Sequence, residues 1–133
     1  MNALLDTNAY VALRRGHPEV LDLVRSSSRI LLSTVVVGEL MDGFYGGSKL
    51  RENIRLLEQT ARSADVDLLS VTWATAEIFG RISSALRRAG TPIPTNDVWI
   101  AAHATEHGGT VVTADAHFDK VPGLAVVSFT LSL

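Results

Sequence analysis

The sequence predicts an α/β fold, a short parallel sheet flanked by helices on both faces. Three observations predict it. Ala3-Leu4-Leu5, Ile30-Leu31-Leu32 and Val111-Val112 are short, continuous apolar runs, the pattern of strands buried on both faces. Phe79, Ile82, Leu86 and Ala89 keep the spacing of one helical face. Runs and helical segments alternate along the chain, as they do where helices connect parallel strands.

Ala3–Leu5 is the first predicted strand, and Asp6-Thr7-Asn8 supplies strand-end and helix N-cap chemistry before a helix over Ala9–Arg15. Pro18 starts a second helix running to about Arg25, and Ser26-Ser27-Ser28 breaks it. After the strand Ile30–Leu32, Ser33 or Thr34 caps a third helix that ends near Gly46-Gly47. A fourth helix is expected from about Ser48 to Arg62, then a strand over Val66–Leu69. The helix between Thr72 and Ala89 stops at Gly90, Pro92 and Pro94. Asp97–His107 forms another, closed by Gly108-Gly109, and Val111-Val112 and Ala125-Val126-Val127 complete the strand set. No repeat, low-complexity tract or linker interrupts the 133 residues, so one domain over 1–133 is expected.

At 47% hydrophobic, 20% charged and a net charge of −2, the composition is that of a globular protein without blanket affinity for nucleic acid. Ten of the twelve basic residues are arginines, whose planar fork suits phosphate. Genome composition produces the same bias. Cysteine is absent, which excludes disulfides, thiolate zinc sites and a cysteine nucleophile. Nowhere do ~18 apolar residues run together, and Asp6 interrupts the first apolar run. No membrane association and a cytoplasmic location are expected.

Four acids abut or interrupt apolar stretches: Asp6, Glu39, Asp97 and Asp115. Asp6 and Asp115 fall at carboxyl ends of predicted strands, where open α/β sheets place their functional crevice. At ~100° per residue, Asp97 shares an arc with Ile100, Ala101 and Ala104, and Glu39 lies beside Val36 and Gly43. Three have a plainer explanation, and Glu39, in mid-helix, has the weakest. Asp6 can cap its helix, Asp97 can favour a helix N-terminus, and Asp115 can serve a turn. Four together are harder to dismiss, because two carboxylates ~5 Å apart repel by roughly 3 kcal/mol at an effective dielectric of ~20. Protons or cations must intervene. An all-oxygen donor set favours a hard ion, Mg2+ or Mn2+, and such an ion serves phosphoester hydrolysis.

The chain resembles PIN-domain ribonucleases, and most closely the VapC-type toxins of bacterial toxin–antitoxin pairs. Leu4-Leu5-Asp6-Thr7-Asn8, Gly38-Glu39-Leu40, Thr95-Asn96-Asp97-Val98-Trp99-Ile100-Ala101-Ala102 and Thr113-Ala114-Asp115-Ala116-His117-Phe118 carry the resemblance over essentially the whole chain. It implies a three-layer fold in which Asp6, Glu39, Asp97 and Asp115 form an acidic, catalytic metal pocket. Thr113 stands at the family's hydroxyl position beside the fourth acid. Asp119 falls where some relatives carry another acid, or is a solvated turn residue, and Asn96 is read as serving the helix start. The resemblance further implies a metal-dependent endoribonuclease acting on tRNA or other structured RNA. It also implies a homodimer and a VapB-type antitoxin whose tail blocks the pocket, often with a basic side chain. Arg14, Arg15, Lys49, Arg87 and Arg88 are candidates for the RNA backbone.

Competing patterns are weaker. His103-Ala104-Thr105-Glu106-His107 fits the H-x-x-E-H pattern of one zinc-peptidase class. Helix projection, however, sends both histidines to an outer face, away from Asp97. A receiver domain wants adjacent acids after the first strand, where Asp6 is followed by Thr7. A haloacid-dehalogenase-like phosphatase wants an aspartate where Asn8 stands. A PIN-fold module that binds nucleic acid with an antitoxin, without cleaving it, remains the alternative reading.

Overall fold

The computed structural model describes residues 1–131. Five strands, β1 (Asn2–Leu5), β2 (Arg29–Ser33), β3 (Val66–Leu69), β4 (Thr110–Thr113) and β5 (Val126–Ser128), form one sheet in the order β3-β2-β1-β4-β5. All four pairings are parallel, with Leu4 opposite both Leu31 and Val111. The chain builds outward from β1 through β2 to β3, then returns to lay β4 and β5 on the other side. The topological switch point therefore falls between β1 and β4, where open α/β sheets open a crevice at the carboxyl ends of their strands.

The sheet is covered on both faces. On one, Ala3, Leu5, Ile30 and Val112 pack with Ala9 and Ala12 of α1 (Thr7–Arg14) and Val20 of α2 (Pro18–Ser26). On the other, Leu4, Leu31 and Val111 pack with residues of α3 (Thr34–Tyr45), α4 (Leu50–Arg62), α5 (Trp73–Arg88) and α6 (Thr95–His107). Leu4 and Val111 are completely buried, and burial of each such side chain contributes ~1.5–3 kcal/mol relative to exposure.

Local chemistry sets the helix ends. Ser33 accepts from Val35 N at 3.1 Å to start α3, and Thr72 and Thr75 form a reciprocal capping box at the start of α5. Gly108 closes α6 in the left-handed conformation, φ 63°. Gly109 then passes so close to β2 that an added Cβ would lie 2.7 Å from Leu31 Cδ1. The α6 helix is held on several sides at once. Phe79 of α5 stacks on Trp99 with ring centroids 3.9 Å apart, and Val98, Ile100, Ala101, Ala102, His103 and Ala104 are all buried.

The elements fall where sequence patterning puts them, with ends shifted by one or two residues, as at α1, α4, α6 and β5, and one element added. The helix α6 begins at Thr95 rather than Asp97, and Ala116–Lys120 forms a 3-10 turn that apolar periodicity does not signal. The histidine pattern is a correction. His103 is fully buried rather than on an outer face, with Nδ1 2.8 Å from Ser33 Oγ and Nε2 3.1 Å from the Ser70 carbonyl. Glu106 accepts from Thr75 Oγ1 at 2.6 Å, tying the end of α6 to the start of α5. These partners make the pattern a packing device, and desolvation pushes the His103 pKa down, against the bond to Ser70.

Candidate active site

Asp6 follows β1 and Thr113 ends the neighbouring β4, so parallel pairing alone brings both to the switch point. Asp6 is 6% exposed. Its Oδ1 accepts from Ala9 N at 2.8 Å, capping α1, and its Oδ2 accepts from the Thr113 hydroxyl. The capping role and the site role thus coincide in one side chain. Thr113 Oγ1 also accepts from Asp115 N at 2.9 Å, and Asp115 Oδ1 accepts from His117 N at 2.9 Å to start the 3-10 turn. Buried Phe118 pins that turn to the core.

Glu39 comes from the middle of α3 and Asp97 from the first turn of α6. Thr7 Oγ1 donates to Glu39 Oε1 at 2.7 Å, and Asn96 Nδ2 donates to Glu39 Oε2 at 3.3 Å. Asn96 therefore orients an acid across 57 positions of sequence rather than serving its helix start, where Pro94 is the N-cap. His117 Nδ1 lies 3.0 Å from Asp97 Oδ2 and 3.1 Å from Asp115 Oδ1.

All four acids line one cavity of about 310 Å³, with Thr7, Asn8, Pro94, Ile100 and His117. Among the described residues no lysine or arginine lines it. Burial pushes the Asp6 carboxyl up to about 6, against the opposing bonds from Thr113 and Ala9, and Asp97 and Asp115 add repulsion. Burial also raises Asp97, opposed by its bond to His117 and reinforced by Asp115 and Glu39. A fold that gathers acids and supplies no arginine or lysine fits a divalent cation, and Asp97, Asp115 and His117 offer donor atoms within 4.8 Å of one another.

Asp119 is exposed in the 3-10 turn and does not line this cavity. Arg14, Arg15 and Lys49 meet around a separate cavity of about 580 Å³, floored by Tyr10, Val11, Phe44 and Leu56. Arg14 is engaged internally, donating from Nε to Tyr10 Oη at 3.0 Å and from Nη2 to the Leu56 carbonyl at 3.2 Å. Arg15 also lines a third cavity that shares Asn8 with the acidic one. Arg87 and Arg88 end α5 and line neither the acidic nor the basic cavity. Thr7 and His117 belong to the site, although residue type gave neither a role. For His117 the signal was its place two residues beyond an acid at a strand end.

Comparison with known proteins agrees with this geometry. Residues 3–124 match the PIN domain family. The chain is 26% identical to Ribonuclease VapC1 of Haemophilus influenzae, covering 91% of this chain and 92% of the relative. It is 29% identical to the tRNA(fMet)-specific endonuclease VapC of Salmonella typhimurium, covering 92% and 94%. Among solved structures, VapBC2 of Rickettsia felis bound to a promoter DNA fragment superposes with a TM-score of 0.83 at 25% identity, over 97% of this chain and 99% of that one. VapBC-1 of Haemophilus influenzae gives 0.83 at 26%, over 96% and 98%. With the family match running through β1 to β4 and all four acids inside it, the chain belongs to the PIN-domain family, among relatives that carry the name VapC ribonuclease.

Proposed function

We propose that this protein is a Mg2+- or Mn2+-dependent endoribonuclease, the toxin of a toxin–antitoxin pair. The observation that carries the reading is the single cavity lined by Asp6, Glu39, Asp97 and Asp115 at the β1/β4 switch point. These four carboxylates would hold the ion. When bound, a divalent ion lowers the pKa of an attacking water and offsets charge on the phosphate and leaving oxygen.

The chain's own residues prepare that chemistry. Thr113 fixes Asp6, and Thr7 and Asn96 fix both oxygens of Glu39. The carboxylates are therefore aimed before substrate arrives, which spares the reaction their reorganisation. Thr113 also holds the backbone that presents Asp115. Bare acids repel an incoming phosphate, so RNA needs cations near the pocket; Arg15, whose cavity shares Asn8 with it, is the nearer candidate and Lys49, in the basic cavity beyond, the other.

The substrate is structured RNA, tRNA included. The partner is a VapB-type antitoxin whose tail occupies the acidic pocket, a reading supported by the VapBC complexes among the structural matches. The toxin acts as one PIN domain per chain, in the cytoplasm and as a homodimer. Exposed Leu68, Val71 and Trp73 offer apolar surface for a second copy. Among the described residues no helix is long and apolar enough to cross a membrane.

The test is direct. Purified protein with Mg2+ or Mn2+ should cleave structured RNA, and Asp97→Asn should not. Equal cleavage by the variant, or full activity in EDTA, would sink the reading. Sequencing RNA ends after induced expression would name the target, with a recurrent cut site expected.

A further inference from the structure

We propose that His117 is a ligand to the ion in the acidic pocket and that its imidazole biases the pocket toward Mn2+ over Mg2+. This rests on the metal-dependent nuclease reading and adds a nitrogen donor to its carboxylate set.

The geometry supplies the argument. His117 Nδ1 lies 3.0 Å from Asp97 Oδ2 and 3.1 Å from Asp115 Oδ1. Adjacent ligands of an octahedral ion with bonds of ~2.1 Å stand roughly 3 Å apart. His117 Nδ1 already sits at that separation from both carboxylate oxygens, and all three donor atoms lie within 4.8 Å of one another. Asp97 is fixed by α6, Asp115 by the end of β4, and His117 by a 3-10 turn that Asp115 caps and buried Phe118 anchors. Moving an ion between them requires small side-chain displacements and no refolding.

The chemistry of the donor then sets the preference. Mg2+ keeps oxygen ligands and waters, whereas Mn2+, an oxygen-preferring ion that nonetheless opens the transition-metal affinity series for mixed nitrogen and oxygen sites, accepts a nitrogen donor more readily. In the loaded site Nδ1 presents its lone pair to the ion and the proton resides on Nε2, for which no partner occurs among the described residues. The His117 side chain is 40% exposed, leaving that nitrogen access to water.

Pulsed electron paramagnetic resonance of Mn2+ bound to the full chain reads the bond itself. Wild-type protein should show echo modulation from a directly bound 14N, converted to the 15N pattern when histidine is isotopically labelled. His117→Gln should abolish the modulation, weaken Mn2+ about 10-fold and weaken Mg2+ much less. Mn2+ bound in an Asp97-dependent way without nitrogen modulation would overturn the proposal and leave the nuclease reading standing. No Asp97-dependent Mn2+ binding at all would overturn both. The wild-type spectrum decides between these outcomes, so a poorly folded variant does not rescue the idea.

Discussion

The hydroxyl of Thr113 donates to Asp6 Oδ2 across 107 positions of sequence while accepting the amide of Asp115 at 2.9 Å. One side chain thus holds a buried carboxylate and the backbone of a second acid. It also keeps Asp6 from rising further, because burial pushes that carboxyl to about 6 despite the bond.

A pH dependence follows. The folded-state pKa lies above the ordinary 3.8, so between roughly 4 and 6 the folded protein holds more protons than the unfolded one. The Asp6 contribution therefore favours folding at low pH and is lost as pH rises through that window. Its full size is about 3 kcal/mol. Urea unfolding in EDTA across this range should show wild type losing stability relative to Asp6→Asn as pH rises. Parallel curves for the two proteins would contradict the assignment.

Asp97→Asn should stabilise the metal-free protein. The substitution removes a partly buried charge that Asp115 and Glu39 repel, at nearly constant shape. With solvent screening the gain is on the order of 1 kcal/mol, or roughly 2–8 °C in melting temperature. Added Mn2+ should stabilise wild type more than the variant. A lower melting temperature for metal-free Asp97→Asn would instead give Asp97 a structural role.

Thr7→Val tests whether Glu39 must be aimed. It removes the 2.7 Å bond to Oε1 and leaves Asn96 on the other oxygen. Cleavage should fall by about 10-fold, as when a group that orients a metal ligand is lost. Thermal melts with and without Mn2+ then separate lost alignment from lost fold. Unchanged cleavage would show that Asn96 suffices.

How much of this was legible depended on whether one element decided the question. Asp97 was readable as inward-facing because Ile100, Ala101 and Ala104 share its arc, and Asp6 and Asp115 because strand ends mark the crevice. His103 was misread because α6 is packed against the sheet and α5 together, so its buried surface extends well beyond one apolar arc. Asn96 and Thr7 reach Glu39 over 57 and 32 positions, contacts with no local periodicity to announce them. Arg14 and Arg15 are adjacent and chemically identical. Only the presence of Tyr10, Leu56 and Thr60 around Arg14 separates them.

His103→Ala tests the packing role of the histidine pattern. It empties a fully buried site and strips partners from Ser33 and the Ser70 carbonyl, at a cost of about 2–5 kcal/mol. Chemical denaturation should show the loss, and Zn2+ should stabilise wild type and variant equally. Selective Zn2+ stabilisation of wild type would restore the zinc reading.

Arg15 and Arg14 should fail in different ways. Arg14 joins α1 to α4 through Tyr10, Leu56 and Thr60, so Arg14→Gln should lower unfolding stability. Arg15 is exposed, lines the basic cavity, and also lines the one that shares Asn8 with the acidic pocket. If the protein cleaves RNA as proposed, a guanidinium there would meet a phosphate beside the scissile one. Arg15→Gln should keep wild-type stability, raise KM for RNA, and reduce the slope of log affinity against log salt by about 1. That slope is the decisive readout, because a purely structural arginine leaves the number of phosphate contacts unchanged. An unaltered slope together with unaltered KM would remove Arg15 from the RNA path and leave Lys49 as the remaining cation on that side.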